Sequence, residues 1–157
     1  MFMVGDKIVY PMHGAGIIEK IEEKKILDEI REYYILKVPC GDMKIMIPVD
    51  SSREIGIRSI VTEDELDDVM KILEGESSEM SANWNRRYRE NMEKLKTGDM
   101  QEVAEVVRNL MRTDRQKKLS TGEKKMLTNA KQILTSEIIL IKGIDLIEAN
   151  SIVDEAV

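Results

Sequence analysis

The chain has 157 residues, of which 42% are hydrophobic and 34% charged, with one cysteine, one histidine and a formal net charge of −6. That apolar content supports the packed core of one ordinary domain or two small ones. A lone Cys40 excludes an internal disulfide framework and a cysteine zinc cluster, and a net-acidic chain is at first sight a poor match for nucleic acid. Aromatic residues make up only 4% and there are 11 methionines, so the core rests on aliphatic side chains and Met.

In chain order, the first sixty residues read as strands. Ile8-Val9-Tyr10 is followed by a turn at Pro11-Met12-His13-Gly14, and Gly16 to Ile21 is the next β-type run. A highly charged stretch covers Glu22 to Glu32. Tyr33 to Val38 is rich in β-forming residues, Cys40-Gly41-Asp42 suits a hairpin turn, and Lys44 to Ile47 forms a strand that Pro48 ends. Short strands joined by tight turns predict a small curled sheet or barrel.

From Thr62 the period becomes helical. Thr62 to Glu65 is a capping box, and Leu66, Val69, Met70 and Leu73 follow at helical spacing. Gly75-Glu76-Ser77-Ser78 breaks the chain. A second helix runs from about Trp84 to Leu95, and a third is capped by Asp99 with a stripe of Val103, Val106, Val107, Leu110 and Met111. Ser120-Thr121-Gly122-Glu123 predicts another capping box, opening a long helix that Gly143 ends. A short last helix includes Ile144, Ile147 and Ile152. The expected fold class is therefore α+β: a β module over 1–60 and an all-helical bundle over 61–157.

Nothing in this pattern assembles a catalytic site. His13 sits in a turn without a second base or ligand, and Gly14-Ala15-Gly16 lacks the rest of a phosphate-binding loop. Glu63, Asp64 and Glu65 complement the positive end of their own helix. No enzyme, metal or cofactor is expected. The N-terminus shows no basic segment followed by an apolar run, and the longest apolar run, Ile138 to Ile141, is far short of a membrane span. These features, with the reduced thiol, suit the cytoplasm.

Charge is unevenly distributed. Residues 84–131 hold 13 Lys or Arg against 7 Asp or Glu, which suits either a binding face or the solvated side of helices. Within this region, Asn83-Trp84-Asn85-Arg86-Arg87-Tyr88-Arg89 carries the only Trp and three arginines at a helix start. Trp84, Tyr88, Met92 and Leu95 form a helical stripe, and such a stripe ordinarily packs on a core. The alternative is a phosphate clamp of helix amides and arginines with the indole against bases.

The ordered set Val4-Gly5-Asp6, Val9-Tyr10-Pro11, His13-Gly14, Leu36-Lys37-Val38, Asn83-Trp84, Arg86-Arg87-Tyr88, Gly98-Asp99, Val103 to Arg108 and Gly122-Glu123-Lys124 resembles the CarD family, also called CdnL, over nearly the whole chain. The opening motif is also similar to the polymerase-interaction domain of transcription-repair coupling factor. The resemblance implies a Tudor-like N-terminal module that binds a lobe of the RNA polymerase β subunit, through positions including Lys24, Ile26 and Met46. Family members carry an arginine where this chain has Met46, which implies a contact that is either more apolar or tuned to a different β-subunit sequence, while Lys24 still matches a basic contact position. The helical half is implied to bind promoter DNA at the upstream fork, with Trp84 as a minor-groove wedge and Arg86, Arg87 and Arg89 at the phosphate backbone. Lys124 and Lys125, at the start of the long helix, are further candidates. The implied function is a transcription regulator that stabilises the open promoter complex; the alternative is a protein-interaction adaptor using only the β module, without direct DNA contact.

Overall fold

The computed structural model describes residues 1–39 and 43–157, so the expected turn at Cys40-Gly41-Asp42 lies outside the described residues. Among the described residues there are five strands: β1 (Lys7–Tyr10), β2 (Gly14–Ile26), β3 (Glu29–Lys37), β4 (Lys44–Pro48) and β5 (Arg58–Ser59). They form one antiparallel sheet in the order β4-β3-β2-β1-β5. β4 and β5 are its two edges, so the sheet is open, consistent with a Tudor-like module. Ile8, Ile18, Tyr34, Leu36 and Ile47 point to one face and, with Ile57, make its core.

The charged stretch from Glu22 to Glu32 is strand, which its composition hid. β2 continues to Ile26 and β3 begins at Glu29, forming a two-stranded ribbon beyond the reach of β4. Lys24 stands opposite Arg31 and Glu23 opposite Glu32. These like-charged pairs cannot hold the ribbon together. The backbone ladder and a two-residue turn do so, with Leu27 and Asp28 both at positive φ. The short helix α1 (Ser52–Ile55) and β5 were also unmarked in the sequence pattern.

Helices α2 (Glu63–Glu74), α3 (Trp84–Lys96), α4 (Met100–Gln116), α5 (Thr121–Lys142) and α6 (Leu146–Ala156) follow. The Thr62 capping box is complete, and Asn83, Asp99 and Asp145 each accept from an early helix amide. α6 starts after Ile144, which therefore precedes it. The α2–α3 connection is a break in helix but not in order. Arg108 of α4 donates to the Ile72 carbonyl and the Ser78 hydroxyl, and Arg112 donates to the Leu73 and Gly75 carbonyls and to Ser77. The helical core collects Leu66, Val69, Leu73, Leu95, Val103, Val107, Leu110, Leu134 and Ile138 among others.

The two halves meet at a buried junction in which α5 covers the outer face of β1 and the start of β2. Val9, Ala15 and Leu140 pack there with Ile60 beside them. Ser136 Oγ accepts from the Ala15 amide at 2.9 Å. Gly14, at φ +105°, lies so close that a Cβ would come within 2.8 Å of that hydroxyl, so the position requires glycine on two grounds. Arg58 of β5 donates both terminal nitrogens to Glu137 at 2.8 Å, and its Nε to the Gly98 carbonyl. Glu137 also accepts from the Val61 amide. Its buried charge is thus paired and hydrogen-bonded on both oxygens, the condition under which burial is tolerated.

Candidate functional site

The basic segment resolves into residues with different tasks. Asn83 caps α3 by accepting from the Arg86 amide at 3.0 Å, which fixes Trp84 as the first helical residue. The stripe Trp84, Tyr88, Met92, Leu95 exists, but burial falls along it: Leu95 is buried, Met92 and Tyr88 are partly buried, and Trp84 is 42% exposed. The α3 N-terminus projects past the core, so the helical spacing that favoured packing holds for three of the four residues. The indole is nonetheless held. Its Nε1 donates to Ser120 Oγ at 2.9 Å, its plane stacks on Tyr88 at 5.2 Å and 18°, and its edge lies over Gly122, where a Cβ would approach to 3.3 Å.

Ser120 and Gly122 open α5, so the N-termini of α3 and α5 converge at Trp84, and their positive ends lie side by side. Arg87 and Glu123 lock this convergence. The guanidinium donates from Nε at 2.9 Å and Nη2 at 3.1 Å to the two carboxylate oxygens, and from Nη1 to the Ser81 carbonyl. The Arg87 fork holds the Glu123 carboxyl below its ordinary range against the opposing effect of burial, and the same bond raises Arg87. One expectation changes here, and Arg87 is found to have an intramolecular partner. The 120–123 capping box is half formed: Ser120 accepts from the Glu123 amide, but the Glu123 carboxylate turns to Arg87 and the Ser120 hydroxyl. Arg87, grouped with the phosphate contacts on sequence, has its fork occupied and its side chain only 19% exposed.

The remaining cations are open to solvent. Arg86 pairs with Glu90 one turn on, in an exposed pair of the kind that contributes little. Arg89, Lys124 and Lys125 are exposed and have no carboxylate within salt-bridge distance among the described residues. Lys117 and Lys118, also exposed, precede Ser120 in the α4–α5 turn, and charge composition alone does not single them out. The structure therefore brings Trp84, Arg86, Arg89, Lys124 and Lys125 to the end of the bundle where α3 and α5 begin.

The second candidate surface is on the sheet. By register, Lys20, Ile35 and Met46 stand across from one another, as do Glu22, Tyr33 and Pro48; Lys24 faces Arg31, and Ile26 faces Glu29. Lys24, Ile26 and Met46 consequently share the face opposite the Tyr34 core. Ile26 is 49% and Met46 40% exposed, and among the described residues no strand pairs with the outer edge of β4 beside Met46. Leu27 and Ile30 at the ribbon tip are also exposed. They were hidden on sequence inside the charged stretch. His13 is exposed with its ring against Tyr10, which fits a turn residue.

No helix is long and apolar enough to cross a membrane among the described residues. Residues 2–61 match the family model described as the CarD-like/TRCF RID domain, and residues 68–154 match that of the CarD C-terminal domain. A protein of Bacillus subtilis (strain 168), named "Putative transcription factor YdeB", is 47% identical over 144 residues, covering 92% of this chain and 94% of its own. The two matched stretches correspond to the sheet and the helical bundle, and the chain therefore belongs to the CarD family of transcription factors, whose role is transcription regulation.

Proposed function

We propose that this protein docks on the RNA polymerase β-subunit lobe through the sheet face of Lys24, Ile26 and Met46, and on promoter DNA at the upstream fork through Trp84, Arg86, Arg89, Lys124 and Lys125. It stabilises the open promoter complex. The observation that carries this reading is the state of Trp84: a large flat ring, partly solvent-exposed yet fixed by Ser120, Tyr88 and Gly122, amid free cations. A ring held before binding loses little entropy on insertion, and apolar wedges at the minor groove stabilise distorted duplex. Arg87 acts here through Glu123, holding the two helix starts together rather than touching phosphate.

The mechanism is a population shift. A protein with higher affinity for the open promoter than for the closed one moves the equilibrium by that difference and no more. Docking on polymerase raises the local concentration of the DNA-binding edge, so weak intrinsic DNA affinity is sufficient, and a net-acidic chain can serve.

Two reciprocal variants of the full chain test the division of labour. Trp84→Ala should retain binding to the β lobe, lose little thermal stability and shorten the lifetime of open complexes. Met46→Asp should weaken lobe binding while leaving affinity for forked DNA unchanged. A Trp84→Ala protein that unfolds some 3–5 kcal/mol more easily, with open-complex decay unaltered, would return the ring to a packing role. Full activity with no measurable DNA binding would instead favour an adaptor acting through the sheet alone.

A further inference from the structure

The acid content of α5 is unusual for this chain. Its two carboxylates, Glu123 and Glu137, are both buried and paired, so the exposed surface of a 22-residue helix presents no carboxylate of its own. A shallow open depression of about 410 Å³ runs along that surface, lined by Thr121, Lys124, Lys125, Thr128, Asn129 and Gln132. Helical spacing orders it further. Gly122, against which the Trp84 ring lies, is followed at steps of three and four by Lys125, Asn129, Gln132 and Ser136, residues that share one stripe of an α-helix. Ser136 is where α5 meets the β module, and Asn129, Gln132, Ser136 and His13 line the polar side of a hollow there whose other side is apolar, from Met12, Val38, Pro39, Met43, Ile45 and Leu146.

We infer that this stripe is a track for the phosphodiester backbone of duplex DNA, leading from Trp84 along Lys125, Asn129 and Gln132 toward His13 at the module junction. The inference rests on the DNA-binding reading above and extends it from a point to a path. Amide and hydroxyl side chains donate to phosphate oxygens without setting sequence, so the contact positions the duplex. Ten residues of helix between Gly122 and Gln132 rise roughly 15 Å, which is about four base pairs at 3.4 Å each. The track therefore addresses paired DNA about four base pairs from the wedge.

Full-length protein and a forked duplex, followed by fluorescence anisotropy against salt, test the track. Gln132→Lys should tighten binding several-fold, below the roughly eight-fold that one extra released counterion allows at 0.1 M salt, and should steepen the salt slope by about 0.9. Asn129→Glu should weaken binding, and both effects should vanish on a forked duplex shortened until its paired arm ends fewer than four base pairs from the fork. Asp67→Lys, on the exposed face of α2, changes net charge by two without touching the track and should have a smaller effect than Gln132→Lys. Equal effects of Gln132→Lys and Asp67→Lys, or effects that survive shortening, overturn the track. Loss of binding in Arg89→Ala with no response at 129 and 132 removes the track alone, whereas no response in Trp84→Ala and Arg89→Ala removes the DNA-binding reading beneath it.

Discussion

Glu123 shows how a single side chain fixes the geometry of the candidate interface. It is 4% exposed, accepts from Arg87 and from the Ser120 hydroxyl, and so ties the start of α5 to that of α3 directly beneath Trp84. Its carboxyl is held below the ordinary value of 4.5, chiefly by the Arg87 fork. A depressed folded-state pKa contributes stability that is fully present above the unfolded value and is lost as pH falls through the folded one. Acid unfolding should therefore draw on this group below about pH 4.5. Glu123→Gln is expected to cost about 2–4 kcal/mol at neutral pH by stranding the Arg87 charge, and to reduce the pH dependence of stability in that acid window. Because Trp84 is the only tryptophan, its emission reports the same site; an unchanged spectrum and melting curve in Glu123→Gln would mean that the pair does not brace the ring.

Among the elements, the β2–β3 ribbon is the one whose local chemistry is least favourable. Its two turn residues, Leu27 and Asp28, have φ of 49° and 65°, a geometry that Asn-Gly adopts with less strain. Leu27 is also 94% exposed, so neither packing nor backbone preference accounts for a leucine at that position. Replacement of both residues, Leu27→Asn with Asp28→Gly, should raise stability by about 1 kcal/mol, seen as a shift of roughly 2–4 °C in the unfolding midpoint. A lower midpoint would show that Leu27 makes a stabilising contact. If polymerase-lobe binding weakens while stability rises, the exposed leucine belongs to the docking face with Ile26.

At the scale of the whole molecule, the junction sets the spacing between the sheet face and the proposed DNA-binding edge. Glu137 holds Arg58 and the Val61 amide, and Arg58 reaches on to Gly98 in the α3–α4 turn, so one buried pair joins β5, the connection to α2, the turn and α5. Glu137→Ala should destabilise by about 3–5 kcal/mol and split a single calorimetric transition into two as the halves lose their common surface. A small loss with one transition retained would assign the coupling to Val9, Ala15 and Leu140 instead. A rigid junction also matters for function under the proposed mechanism, since docking raises effective DNA concentration only if the span between the two contacts fits the complex.

By itself the sequence determined the features that depend on neighbours a few residues away. The change from strand to helix near residue 60, the Thr62 capping box and the α4 stripe all rest on periodicity and on caps reaching three residues. The ordered matches in both halves likewise carried the family. The expected α+β class followed from the same signals. Tertiary structure decided the rest, because it depends on contacts between distant residues. Arg87 meets Glu123 from 36 positions away, Arg58 meets Glu137 from 79, and Ala15 meets Ser136 from 121. Charge composition alone could not separate Arg87, locked in a buried fork, from the exposed Arg86 and Arg89. Nor could helical spacing tell that α3 runs past the end of the core, leaving Trp84 fixed but open to solvent.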